Sequence, residues 1–98
     1  MGRLLYGPQE REIEFADRVL AHVQVVIVSK LRRSESFTLS WVGHGEDGRT
    51  TVWMHPAVPI QFQFDSTKSP QLNAAWLQDL NAAAARGDLR VSEEPSSS

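Results

Sequence analysis

The chain has 98 residues, 41% of them hydrophobic and 22% charged, with 10 basic and 12 acidic side chains and no cysteine. An unfolded chain of 11.0 kDa exposes about 16,000 Å² against about 5,600 Å² when folded, enough burial for one small core and no more. Lack of cysteine excludes disulfide scaffolds, thiolate metal sites and cysteine nucleophiles, and a net charge of −2 argues against a broadly basic nucleic-acid coat while allowing a local basic patch.

Arg3 to Tyr6 and Glu12 to Ala16 flank a turn at Gly7-Pro8-Gln9, and the second segment alternates polar with apolar residues, so the pair reads as two strands. Glu12 and Glu14 fall on one side, where they would discourage edge-to-edge pairing. Asp17 is a good N-cap type and opens a stretch to about Arg33 without Gly or Pro. Within it Leu20, Val23, Ile27, Val28 and Leu31 recur at helical spacing. The centre, Val25 to Val28, also suits a strand, but Arg18, Gln24 and Lys30 do not follow strand period.

Past Ser36, Phe37, Leu39 and Trp41 alternate with Thr38, Ser40 and Val42, the pattern of a half-buried strand. Gly43 to Gly48 is polar and glycine-rich, and Arg49 to His55 follows as a second strand of a hairpin. Pro56 ends it. Ile60, Phe62 and Phe64 then alternate with Gln61, Gln63 and Asp65, predicting a third consecutive strand and an antiparallel meander. Ser69-Pro70 matches an N-cap and first helical position for a helix through Leu72, Trp76, Leu80 and the alanines at 82–85, closed by Gly87. Leu89 to Val91 suits a short edge strand, and Glu93 to Ser98 has the composition of a disordered tail.

The expected fold is therefore α+β, in the order ββαβββαβ: a single domain over residues 1–92, with two helices packed on one face of a mostly antiparallel sheet and a tail at 93–98. The opposite face would present Thr38, Ser40, Thr51, Gln61 and Gln63, polar and uncharged. No apolar run reaches the ~20 residues of a membrane span, and the first residues lack the long apolar region of a secretory signal; the cytoplasm is the expected compartment.

Motifs for catalysis are missing. There is no phosphate loop, dinucleotide fingerprint, His-Glu-x-x-His or Gly-x-Ser-x-Gly, and no cofactor is expected. His44, Glu46 and Asp47 are too few and too local for a metal centre, which needs ligands converging from rigid elements. Candidate binding residues remain. Lys30, Arg32 and Arg33 end the first helix, where cations suit the helix dipole but can also meet an anion, helped by Arg49. Trp53, beside Thr51 and His55 at strand period, is the better candidate for an exposed aromatic, whereas Trp41 shares its side with Phe37 and Leu39 and belongs to the core.

The opening Met1 to Gly7, the block Leu20 to Ile27 with Lys30 to Phe37, Arg49 to Pro56, and Leu72-Asn73 with Trp76-Leu77 resemble a small actinobacterial family of about 100 residues. Its members are described as domains of unknown function or labelled ATP-dependent DNA ligases. The resemblance implies a link to nucleic acid, but a ligase needs a nucleophilic lysine in Lys-x-Asp-Gly. Here Lys30 precedes Leu31-Arg32-Arg33 and Lys68 precedes Ser69-Pro70-Gln71. The sequence thus points to a non-catalytic module that binds nucleic acid or another anion, or that pairs with a second copy of itself through an edge strand or the polar sheet face.

Overall fold

A computed structural model describes residues 1–43 and 48–96. The elements are β1 (Gly2–Tyr6), β2 (Arg11–Phe15), α1 (Asp17–Arg32), β3 (Phe37–Val42), β4 (Arg49–Met54), β5 (Ile60–Gln63), α2 (Ala74–Ala85) and β6 (Asp88–Arg90). This is the expected α+β order. His44, Glu46 and Asp47 lie outside the described residues, as do the last two serines.

The strands form two sheets of three, ordered β2-β1-β5 and β4-β3-β6. All pairings are antiparallel except β3 with β6. The expected meander fails at its third strand: β5 pairs with β1, Leu4 opposite Phe62, and not with β4. The link explains why. His55 accepts the Val58 N–H in a turn, and the Gly7 N–H donates to the Pro59 carbonyl at 3.0 Å, so residues 55–59 lead the chain from the edge of β4 to β1. Gly7 adopts φ +87°, a conformation open to glycine without steric cost.

Both helix starts differ from expectation. Ala16 occupies the N-cap of α1 without a side-chain bond, and Asp17, one residue on, accepts the backbone N–H groups of Asp65 and Ser66. Its carboxylate ties the end of β5 to the helix instead of capping it. The second helix begins at Ala74, not after Ser69: Asn73 is the N-cap and its Oδ1 accepts from Ala75 and Trp76. A cap of this type satisfies N–H groups otherwise left open at a helix start.

One core joins the sheets. Leu4, Ile13 and Phe15 from the first, Phe37, Leu39, Met54 and Leu89 from the second, and Leu20, Val23, Val26, Ile27, Trp76, Leu80 and Ala84 from the helices form a continuous buried cluster. Trp41 lies at its margin, half-buried and edge-on to Phe15, with ring centroids 5.9 Å apart. No helix among the described residues is long and apolar enough to cross a membrane.

A polar joint holds the helices together. His22 is fully buried: its Nδ1 lies 2.7 Å from the Arg18 carbonyl and its Nε2 accepts the Asn73 N–H at 2.8 Å. These partners assign the neutral ring with hydrogen on Nδ1. Asn73 Nδ2 donates to Glu94 and to the Pro95 carbonyl, and Arg18 grips Glu94 with two bonds of 2.7 and 2.6 Å. With every group satisfied, the joint fixes α1, α2 and residues 94–95 as one structural unit.

Candidate interaction surface

Alternation along β3 and β4 places Phe37, Leu39, Trp41, Val52 and Met54 toward the core, leaving Thr38, Ser40, Val42, Arg49, Thr51 and Trp53 on the other side. β6 adds Asp88 and Arg90 to that side, opposite Thr38 and Ser40. The resulting face is open. Trp53 is 57% exposed and Val42 68%, unusual values for large apolar side chains in strands of a small core.

Between them lies an ordered polar patch. Asp88 Oδ1 accepts from Thr38 Oγ1 at 2.7 Å and from Ser40 Oγ at 2.8 Å. Because the Ser40 hydrogen goes to the carboxylate, Thr51 donates to Ser40 across their 2.8 Å contact. The two hydroxyl bonds, with the Arg90 and Arg49 charges behind them, hold the Asp88 carboxyl below the usual aspartate range. Arg90 Nη2 stands 3.7 Å from it. The patch is a fixed negative centre flanked by arginines, with an indole at one end.

The edge of this sheet is also available. Thr38 donates to the Gly87 carbonyl and Ser40 accepts from Val91, so these two residues turn their peptide groups toward β6. Their partners Trp53 and Thr51 occupy non-hydrogen-bonded antiparallel pairs, in which both residues point their backbone groups away from each other. The N–H and C=O of Thr51 and the N–H of Trp53 therefore face outward from β4. The Trp53 carbonyl accepts from the Tyr6 hydroxyl, linking the edge to the first sheet.

The basic cluster is arranged differently from the sequence expectation. Lys30 is mostly buried, 6.0 Å from the Phe37 ring centroid, and its Nζ contacts Glu35 at 2.8 Å. Arg33 takes the other oxygen of Glu35 at 3.1 Å. These bonds hold the Glu35 carboxyl below its ordinary range, so one carboxylate neutralises much of the pair. Arg32 is exposed and forms no ion pair among the described residues. Arg49 stands opposite Val42, whereas Phe37, beside Lys30, stands opposite Met54. Five residues of strand, about 17 Å, separate the two ends, so Arg49 does not join the cluster. Trp53 is exposed as expected. His55 is exposed too, with its Nδ1 accepting the Ala57 N–H in a turn.

Asp88, Arg90 and Val42 complete the surface without having stood out in the sequence. The alternation Asp88-Leu89-Arg90 indicates that the two charged residues share a side, but which strand they join depends on a parallel pairing that no local pattern encodes. No curated protein and no solved structure matches the chain. A family model does match, over residues 1–94, nearly the whole described fold including Glu94 of the joint, and the chain belongs to this family, a domain of unknown function (DUF7882).

Proposed function

We propose that the chain is a non-catalytic interaction module that pairs with a second copy of itself along β4, extending the β4-β3-β6 sheet. The half-exposed Trp53 on an edge strand with outward backbone groups is the observation that carries this reading. Tryptophan and arginine dominate binding energy where they are desolvated at an interface, and a free strand edge is a template for pairing. Antiparallel pairing about Thr51 would bring Arg49 of one copy opposite Trp53 of the other, a favourable cation–π arrangement, with the two Thr51 residues opposite one another. No like charges meet in that register.

Sedimentation equilibrium of the full chain tests it. Thr51→Pro removes an N–H that β3 does not use, and proline is tolerated on a strand edge, so the variant should keep its circular dichroism and lose the dimer. A wild-type chain that stays monomeric at high concentration overturns the reading.

A second reading rests on the same indole: single-stranded nucleic acid stacking on Trp53, with Arg49, Arg90 and Arg32 as phosphate contacts. The Asp88 carboxylate in the middle of the face opposes it, as does the pairing of Lys30 and Arg33 with Glu35. Titration of Trp fluorescence with single-stranded oligonucleotide at two salt concentrations separates the two, since phosphate contacts weaken steeply with salt. The ligase activity that the family resemblance implies is not proposed, because neither lysine stands in the nucleophile motif.

A further inference from the structure

A recess opens at the end of β3, with Val42 on its rim, where the end of β2, the start of α1, α2 and the segment after β6 converge. Its volume, about 670 Å³, falls within the ~300–1,000 Å³ of small-molecule sites. Phe15, Val19, Trp41, Trp76 and Val91 line it, and Phe15 meets Trp41 edge-on with ring centroids 5.9 Å apart. Its walls are therefore apolar and largely aromatic.

One polar atom of these lining residues has no use within the chain. Trp76 is 2% exposed, and its Nε1 is the one buried side-chain nitrogen or oxygen among the described residues without a hydrogen-bond partner. The His22 ring lies beside the indole, 4.5 Å between centroids, but offers no acceptor, because Nδ1 faces the Arg18 carbonyl and Nε2 already accepts from Asn73. A buried N–H left unpaired costs stability, and native chains retain few of them. A lone donor selects an acceptor.

The charges on the lining narrow which acceptor it is. Arg18, the only cation among the described lining residues, is committed to Glu94 through Nε and Nη2 and to the Gln71 carbonyl through Nη1. Glu14 alternates with Phe15 along β2 and turns its carboxylate away from the recess, whereas Glu93 and Glu94 remain on the lining. An anion would enter beside negative charge with no cation free to receive it. A cation cannot accept from an N–H.

We propose that this recess binds an uncharged carbonyl compound, an apolar ring bearing one C=O group, whose oxygen accepts from Trp76 Nε1. The ring would lie against Phe15, Val19 and Trp41. Nε1 is covered by the walls as they stand, so the oxygen reaches it as the lining gives way locally. Ser92 and Glu93, past β6, are the part of that lining which no helix or strand holds.

The test uses the full chain and follows the indole N–H resonances in two-dimensional NMR. The probe is acetophenone; α-methylstyrene has the same outline with a methylene group in place of the oxygen, and benzoate carries a charge. With acetophenone the Trp76 signal should move downfield and saturate, as an N–H does on gaining an acceptor, while α-methylstyrene gives no downfield movement and benzoate none at all. Trp53, at the far end of the β3-β4 hairpin from Val42, should stay still. Trp76→Phe keeps an aromatic wall but removes the donor, so the affinity for acetophenone relative to α-methylstyrene, read from the Trp41 signal, should fall about fivefold. If that variant does not fold, the wild-type comparison decides alone. No saturable shift with acetophenone, a Trp76 signal that moves alike with both neutral probes, or benzoate binding as tightly as acetophenone would each overturn the proposal.

Discussion

At the scale of single residues, Glu94 decides more than its position near the end of the chain suggests. Its composition context, Glu93-Glu94-Pro95 followed by serines, reads as a tail because charge and proline do not build a core. Neither does the sequence reveal that Arg18, 76 residues earlier, provides its partner. Asn73 was hidden for a related reason. Ser69-Pro70 is the stronger local start signal, but the Asn73 N–H is held by His22 and its Nδ2 by Glu94, and these distant bonds fix the helix start four residues later. The Arg18 bonds, then the Asn73 bond, hold the Glu94 carboxyl down to about 2. A carboxylate lowered in the folded state contributes stability that is fully present above the ordinary glutamate range and is lost as pH falls toward about 2. Glu94→Gln should therefore lower stability near neutral pH and flatten its decline in that acidic window. Urea unfolding at a series of pH values checks this; a variant that loses stability with acid as steeply as the wild type contradicts it.

At the scale of elements, strand and helix periods were readable because each segment has one buried side: Ile13 and Phe15, Phe37 and Leu39, and the stripe of Leu20, Val23 and Ile27 follow from spacing alone. Pairing was less accessible. Consecutive strands usually pair, and β3 with β4 obeys, but β4 with β5 does not, because the Pro56–Pro59 link turns the chain toward Gly7. The docking of α1 on β1 depends on a residue with no side chain at all. A Cβ at Gly2 would stand 2.7 Å from Leu20 Cδ2, 2.8 Å from Asp17 Oδ1 and 2.9 Å from the Gln63 carbonyl oxygen. Leu20 could rotate, but the carbonyl belongs to the β5 backbone and the Asp17 carboxylate is tied to Asp65 and Ser66. Gly2→Ala should then separate α1 from the first sheet and cost about 1–3 kcal/mol, the usual range for overpacking. Thermal or urea unfolding measures it, and a change within experimental error would show that β1 has more room than these distances allow.

For the whole molecule, two sheets of three strands raise the question of whether they fold as one. The folded surface of 6200 Å² exceeds the ~5,600 Å² typical of this mass. The buried cluster nevertheless runs without a break from Leu4 and Ile13 through α1 and α2 to Leu39 and Leu89, and Tyr6 bonds the Trp53 carbonyl across the gap between sheets. If that continuity governs stability, damage in one sheet must be felt in the other. All three tryptophans lie outside the first sheet, Trp41 in β3, Trp53 in β4 and Trp76 in α2, and although Trp41 touches Phe15 of β2, their fluorescence reports mainly the second sheet and the helices. Ile13→Ala empties a site in β2 that is 4% exposed and should cost about 2–5 kcal/mol. In a single cooperative unit the fluorescence transition in urea moves by that full amount and coincides with the circular-dichroism transition. A fluorescence midpoint left in place while the circular-dichroism curve broadens would mean that the β2-β1-β5 sheet melts by itself, and that Tyr6 and the shared core couple the two halves only weakly.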